Sequence, residues 1–125
     1  MKIVLIDDDV FLRDMYATKF IDMGHDIQEF EYAEDALNFL LEGNECDVIL
    51  VDMVMPGMSG VQFLKNVTEK NASNGAIAIV LSNQGQDADI DEAKEAGAHD
   101  YIVKAEYVPS EVVKKTEEIH GQYKK

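Results

Sequence analysis

Short apolar runs alternate along this chain with longer stretches in which apolar positions recur every three or four residues. The short runs are Lys2–Ile6, Ile27–Phe30, Val48–Val51, Ala76–Leu81 and Tyr101–Val103, rich in Val and Ile. Three of them lack a polar face, as expected of strands covered on both sides. The longer stretches carry helical stripes. Leu12, Met15/Tyr16, Phe20 and Met23 form one, ended by Gly24, and Ala36, Leu37, Leu40 and Leu41 form a second, ended by Gly43. Val61, Leu64 and Val67 follow the turn Pro56-Gly57-Met58-Ser59-Gly60, and Ile90, Ala93 and Ala96 run to Gly97. Val112, Val113, Thr116 and Ile119 form the last stripe, with Pro109 suited to its first turn.

Strand followed by helix, repeated through the chain, predicts right-handed crossovers and a parallel sheet with helices on both faces. The expected fold is α/β: a doubly wound five-stranded parallel sheet in the flavodoxin-like order 2-1-3-4-5, a three-layer sandwich. The 125 residues suit one domain, 1–125. The fourth helix buries least, since one Ile and small alanines face Asp87, Asp89, Asp91, Glu92 and Glu95. It reads equally as a solvated surface helix or as a mobile element available to a switch.

Charge narrows the partners. With 25 acidic and 11 basic side chains the formal net charge is −14, which repels phosphate backbones and argues against direct nucleic-acid binding. No apolar run approaches the ~20 residues of a membrane helix, and the opening apolar run is too short for a secretory signal. A cytoplasmic chain without membrane contact is the expectation. The single cysteine, Cys46, leaves no intramolecular disulfide and no cysteine metal site.

Ligands of open parallel sheets collect at the carboxyl ends of strands, near the switch point between the first and third. Here the first strand ends in Asp7-Asp8-Asp9 and the third in Asp52; the fourth ends in Ser82-Asn83 and the fifth in Lys104. One aspartate after a strand is commonly a cap or turn residue. Four such positions with complementary chemistry are more specific. Crowded carboxylates need a compensating cation. Oxygen-only ligands with room for water suit Mg²⁺. A phosphoryl group on Asp52 would then meet Mg²⁺ on one side, with Lys104 pairing an oxygen and Ser82 donating a hydrogen bond. Asp9 is expected to cap the first helix, and His25, His99 and His120 are scattered without metal partners.

Asp7-Asp8, Asp52 with the following Met53-Val54-Met55-Pro56-Gly57-Met58-Ser59-Gly60, Leu81-Ser82, and Gly97-Ala98-His99-Asp100-Tyr101-Ile102-Val103-Lys104 closely resemble the receiver domain of bacterial two-component response regulators. The resemblance runs from the first strand to the last helix. It implies that Asp52 accepts a phosphoryl group from a sensor histidine kinase or phosphotransfer protein. Asp7 and Asp8 would hold Mg²⁺, directly or through water, with Asp52 and the main-chain carbonyl of Val54. Ser82 and Lys104 match the family's hydroxyl and lysine, and Tyr101 the aromatic that follows the hydroxyl's state. The face of the fourth helix, last strand and fifth helix would be reshaped for a downstream protein target or a homodimer. Such a protein catalyses only its own phosphorylation and dephosphorylation and is no metabolic enzyme.

Two departures stand out. Ala105 follows Lys104 where receivers usually carry a cis-proline, so the loop either bears a costly cis bond or runs trans. Asn83 occupies a position where a smaller side chain is common, and Asn83 and Val54 are expected to shape the lifetime of the phosphoryl group. Among other readings, a haloacid-dehalogenase-type phosphatase wants an aspartate where Val54 stands. A flavin carrier wants a phosphate loop where three aspartates stand. A pseudo-receiver that docks without phosphorylation would be expected to lack one of the site residues, and none is missing. A stand-alone regulator and the receiver portion of a longer protein both remain open.

Overall fold

The computed structural model describes residues 1–124. Strands β1 (Lys2–Ile6), β2 (Asp26–Phe30), β3 (Val48–Val51), β4 (Ile77–Ser82) and β5 (Asp100–Val103) alternate with helices α1 (Val10–Asp22), α2 (Ala33–Leu41), α3 (Gly60–Glu69), α4 (Asp87–Ala96) and α5 (Pro109–Tyr123). All neighbouring strands pair in parallel, in the order β2-β1-β3-β4-β5. This is the doubly wound architecture that the alternating pattern predicts.

The apolar runs of β3 and β4 are buried along their whole length, as is β1 after Lys2, because each lies between two strands and beneath helices on both faces. The edge strand β2 is half polar, which suits its outer side to water. Side-chain alternation sorts the sheet into two cores. Val4, Ile6, Ile49, Val51, Ala78 and Val80 meet α2, α3 and α4 through Leu37, Leu40, Phe63, Leu64 and Ala93. Ile3, Leu5, Val48, Leu50, Ile79, Leu81 and Ile102 meet α1 and α5 through Phe20, Tyr16, Val112 and Ile119.

Local chemistry sets the helix starts. Asp9 caps α1, its Oδ1 accepting the Leu12 N–H at 3.1 Å. Ser59 and Gln62 form a reciprocal capping box at α3, with bonds of 3.2 and 3.0 Å. Pro109 opens α5. Of the alternatives Met15 and Tyr16, Tyr16 takes the core side of α1 and leaves Met15 exposed. One stripe position differs from expectation, since α2 stops at Leu41, which faces outward. The loop after β5 is also settled. There is no cis peptide bond among the described residues, and Lys104–Glu106 form a single 3₁₀ turn that carries the chain along a trans path.

In α4 the buried side chains are Ala93 and Ala96, with a 3.3 Å bond from Thr68 Oγ1 to the Ala96 carbonyl adding a tether. Two of the three histidines make structural contacts. His25 bridges the Met1 amino group (2.9 Å) and Glu117 (2.8 Å), and His99 Nδ1 accepts the Ala78 N–H at 3.0 Å. Among the described residues, no helix is long and apolar enough to cross a membrane.

Candidate functional site at the carboxyl end of the sheet

Parallel register brings the chemistry together. Ile6 pairs with Val51, and Val51 with Val80, so β1, β3 and β4 end side by side. The same alternation that splits the core also sorts the polar groups. Asp7, Asp52 and Lys104 come two residues after Leu5, Leu50 and Ile102, on the α1/α5 face. Ser82 follows Val80, and Tyr101 packs against that opposite core. The charged cluster and the hydroxyl–aromatic pair therefore flank the strand ends from two sides.

Lys104 is the hub of the charged cluster. Its Nζ lies 2.6 Å from Asp7 Oδ2 and 2.9 Å from Asp52 Oδ2, and the lysine is buried. Burial disfavours its charge, yet the bond to Asp7 and the charge of Asp52 outweigh that cost and hold the ammonium above the ordinary lysine range. Asp7 is pushed the other way from a usual ion-paired carboxylate: burial dominates and raises it, against the pull of Lys104 and the Asp9 N–H. Both Asp7 oxygens are occupied, Oδ1 by the Asp9 N–H at 2.9 Å and Oδ2 by Lys104. Asp52 keeps Oδ1 freer, with one long 3.4 Å contact from the Val54 N–H.

One carboxylate oxygen each from Asp7, Asp8 and Asp52 lie within 4.8 Å of one another. This donor set is all oxygen and strongly anionic, so it fits a hard divalent cation rather than zinc or copper. Val54 is 60% exposed, and Asn83, directly after Ser82, is exposed as well. A cleft of about 430 Å³ lies elsewhere, beside Cys46 at the amino ends of β1 and β2 and away from the chemistry.

On the other side of the strand ends, Ser82 and Tyr101 act on one residue. The Ser82 Oγ accepts the Gln84 N–H at 3.3 Å, while the Tyr101 hydroxyl donates to the Gln84 carbonyl. Tyr101 is half-buried, so its ring is already turned in against the core and holds the β4–α4 loop.

The structure thus brings together Asp7, Asp8, Asp52, Val54, Lys104, Ser82 and Tyr101, all seven named from the sequence. Three residues went unnoticed there. Arg13 reaches back from α1 to the Asp7 carbonyl, Glu34 of α2 accepts the Met58 N–H at 2.9 Å, and Gln84 links Ser82 to Tyr101. Gln84 acts through its main-chain groups, which leave no trace in residue type, and Glu34 through a carboxylate whose partner is the Met58 main chain. Arg13 did leave one, as the chain's one arginine.

Comparison with known proteins agrees with this geometry. The sequence profile of the response regulator receiver domain matches residues 3–117. A chemotaxis protein CheY homolog of Campylobacter jejuni is 28% identical over 122 residues, covering 97% of this chain and 93% of that protein. The transcriptional regulatory protein ResD of Bacillus subtilis is 35% identical over 112 residues, and there the match spans 45% of the longer protein. The receiver domain of the Francisella response regulator 1452 superposes with a TM-score of 0.85 at 28% identity, covering 98% of both chains.

Proposed function

We propose that this chain, which belongs to the response regulator receiver domain family, is a phosphoacceptor switch in which Asp52 takes a phosphoryl group from a phosphohistidine of a sensor histidine kinase or phosphotransfer protein. The observation that carries this reading is the Lys104 bridge between Asp7 and Asp52, with Asp8 alongside. In the transfer, an Asp52 carboxylate oxygen forms the new P–O bond as the P–N bond breaks, and the imidazole leaves with the electron pair and takes up a proton. Asp7, Asp8, Asp52 and the Val54 carbonyl would hold Mg²⁺, which offsets the carboxylates' mutual repulsion and the charge on the phosphoryl oxygens. With both Asp7 oxygens engaged, Asp8 and Asp52 would bind directly and Asp7 through water.

Lys104 is placed to move its ammonium from Asp52 to a phosphoryl oxygen without losing Asp7. Ser82 would turn from Gln84 to the phosphoryl group, and the loop held by Tyr101 would transmit that change to α4, β5 and α5. That face would then engage a downstream protein or a second copy. Val10, Phe11 and Met15 expose apolar surface on α1 next to the acidic loop, a surface fit for the protein donor. The receiver domain would occupy residues 1–125 and act in the cytoplasm. As a switch its chemistry is confined to its own aspartate.

The test is amide NMR with beryllofluoride and Mg²⁺. Shifts should change at Ser82, Gln84 and Tyr101 in the native protein and stay fixed in Asp52→Asn. Unchanged spectra in both would contradict the proposal.

A further inference from the structure

Ten of the eleven basic residues are lysines, and the one arginine stands beside the acidic loop. From the first turns of α1, the Arg13 Nη1 donates to the Asp7 carbonyl at 2.8 Å, and its Nε donates to Glu29 Oε1 on β2 at 3.2 Å. The Arg13 side chain is 14% exposed and its bond to the Asp7 carbonyl is partly buried, while Glu29 braces it from the surface side. A guanidinium can make two bonds in fixed directions at once, and an ammonium on a flexible stem cannot reproduce that fork.

The carbonyl of Asp7 stands at the start of the Asp7-Asp8-Asp9 loop. The Asp7 N–H is tied to the Phe30 carbonyl at 3.1 Å, and the Asp9 N–H folds back on Asp7 Oδ1. The Asp7 carbonyl shares one peptide plane with the Asp8 N–H, so fixing that carbonyl fixes the plane from which Asp8 projects. We infer that Arg13 is a positioning residue for the cation site: braced on Glu29, it locks the Asp7 carbonyl and so aims the Asp8 carboxylate at Asp52. This rests on the reading of Asp7, Asp8 and Asp52 as a Mg²⁺ site.

The sign of the effect separates positioning from simple charge. Arg13 is a cation near three carboxylates, so by electrostatics alone its removal would tighten Mg²⁺ binding. Loss of positioning weakens it. Two variants keep the charge balance: Arg13→Lys, and the double variant Arg13→Gln with Glu29→Gln, which removes one charge of each sign. Mg²⁺ affinity is measured by calorimetry on the native chain and both variants, below the thermal transition of each. The native chain should bind, and both variants should bind about tenfold more weakly, the scale of losses when residues that orient metal ligands are removed. A purely structural role for Arg13 would lower the melting temperature and leave the affinity of the folded protein alone. Affinity within about twofold of native in Arg13→Lys overturns the inference, whatever the double variant does. No Mg²⁺ binding by the native chain would instead remove the reading on which it rests.

Discussion

Gly60 lies against the back of Asp52: a methyl group at Gly60 would stand 2.2 Å from the Asp52 carbonyl oxygen and 2.9 Å from the Met53 Cα. The Gly60 N–H bonds the Met53 carbonyl at 3.0 Å, so the start of α3 is packed directly on the backbone that presents the phosphoacceptor. No flexible side chain is there to yield. Gly60→Ala should therefore shift the Asp52 segment and cost about 1–3 kcal/mol, the range for overpacking. Urea denaturation measures the loss, and native-like stability would show that the segment gives way freely.

Most of this site was readable because parity and register are sequence properties. Apolar runs of β1, β3, β4 and β5 each stop on a polar residue, and parallel pairing places those stops together. Their faces follow too, since a residue two after Leu50 or Ile102 shares its side of the sheet. Main-chain partners were not readable. Nothing in the type of Gln84 says that Ser82 and Tyr101 would hold its amide and carbonyl, and Glu34 finds the Met58 N–H only through the packing of α2 on the loop. The outward turn of Met15 was likewise undecided, because Met15 and Tyr16 fit one helical stripe equally well.

Lys104→Met tests the charged hub. It leaves the buried Asp7 facing Asp52 with no cation between them, and losing one partner of a buried pair costs about 3–5 kcal/mol. The native ammonium is held above its ordinary 10.5, so its contribution is complete below that pH and fades as pH rises through the raised value. The stability gap between native and variant, measured in chelator, should be wide at neutral pH and narrow in stronger alkali. A gap that stays constant across that range would mean that the charge of the ammonium is not its source.

Cys46 gives a second pH marker. Burial first, and then the neighbouring Asp47 charge, push its thiol from 9.0 up to about 11. The neutral thiol is favoured by folding, so this contribution holds below 9.0 and disappears as pH rises through about 11. At pH near 8 the thiolate is then about a hundredfold scarcer than in the unfolded chain. Iodoacetamide should label the folded protein at least tenfold more slowly than the protein in urea, and equal rates would show an open, ordinary thiol.

Asn83 is exposed directly after Ser82 at the end of β4, and a side chain of its size there is expected to narrow the approach of water to Asp52. Asn83→Ala should speed loss of the phosphoryl group about threefold, equivalent to roughly 0.7 kcal/mol of barrier. Following the decay of the phosphorylated protein after removal of the donor gives the rate. An unchanged half-life takes Asn83 out of the account.

The most direct test of the switch is intact mass after incubation with acetyl phosphate, with and without Mg²⁺, for the native chain and Asp52→Ala. The account predicts a gain of one phosphoryl group that requires both Mg²⁺ and Asp52. No adduct in the native chain, or an equal adduct in Asp52→Ala, would contradict it.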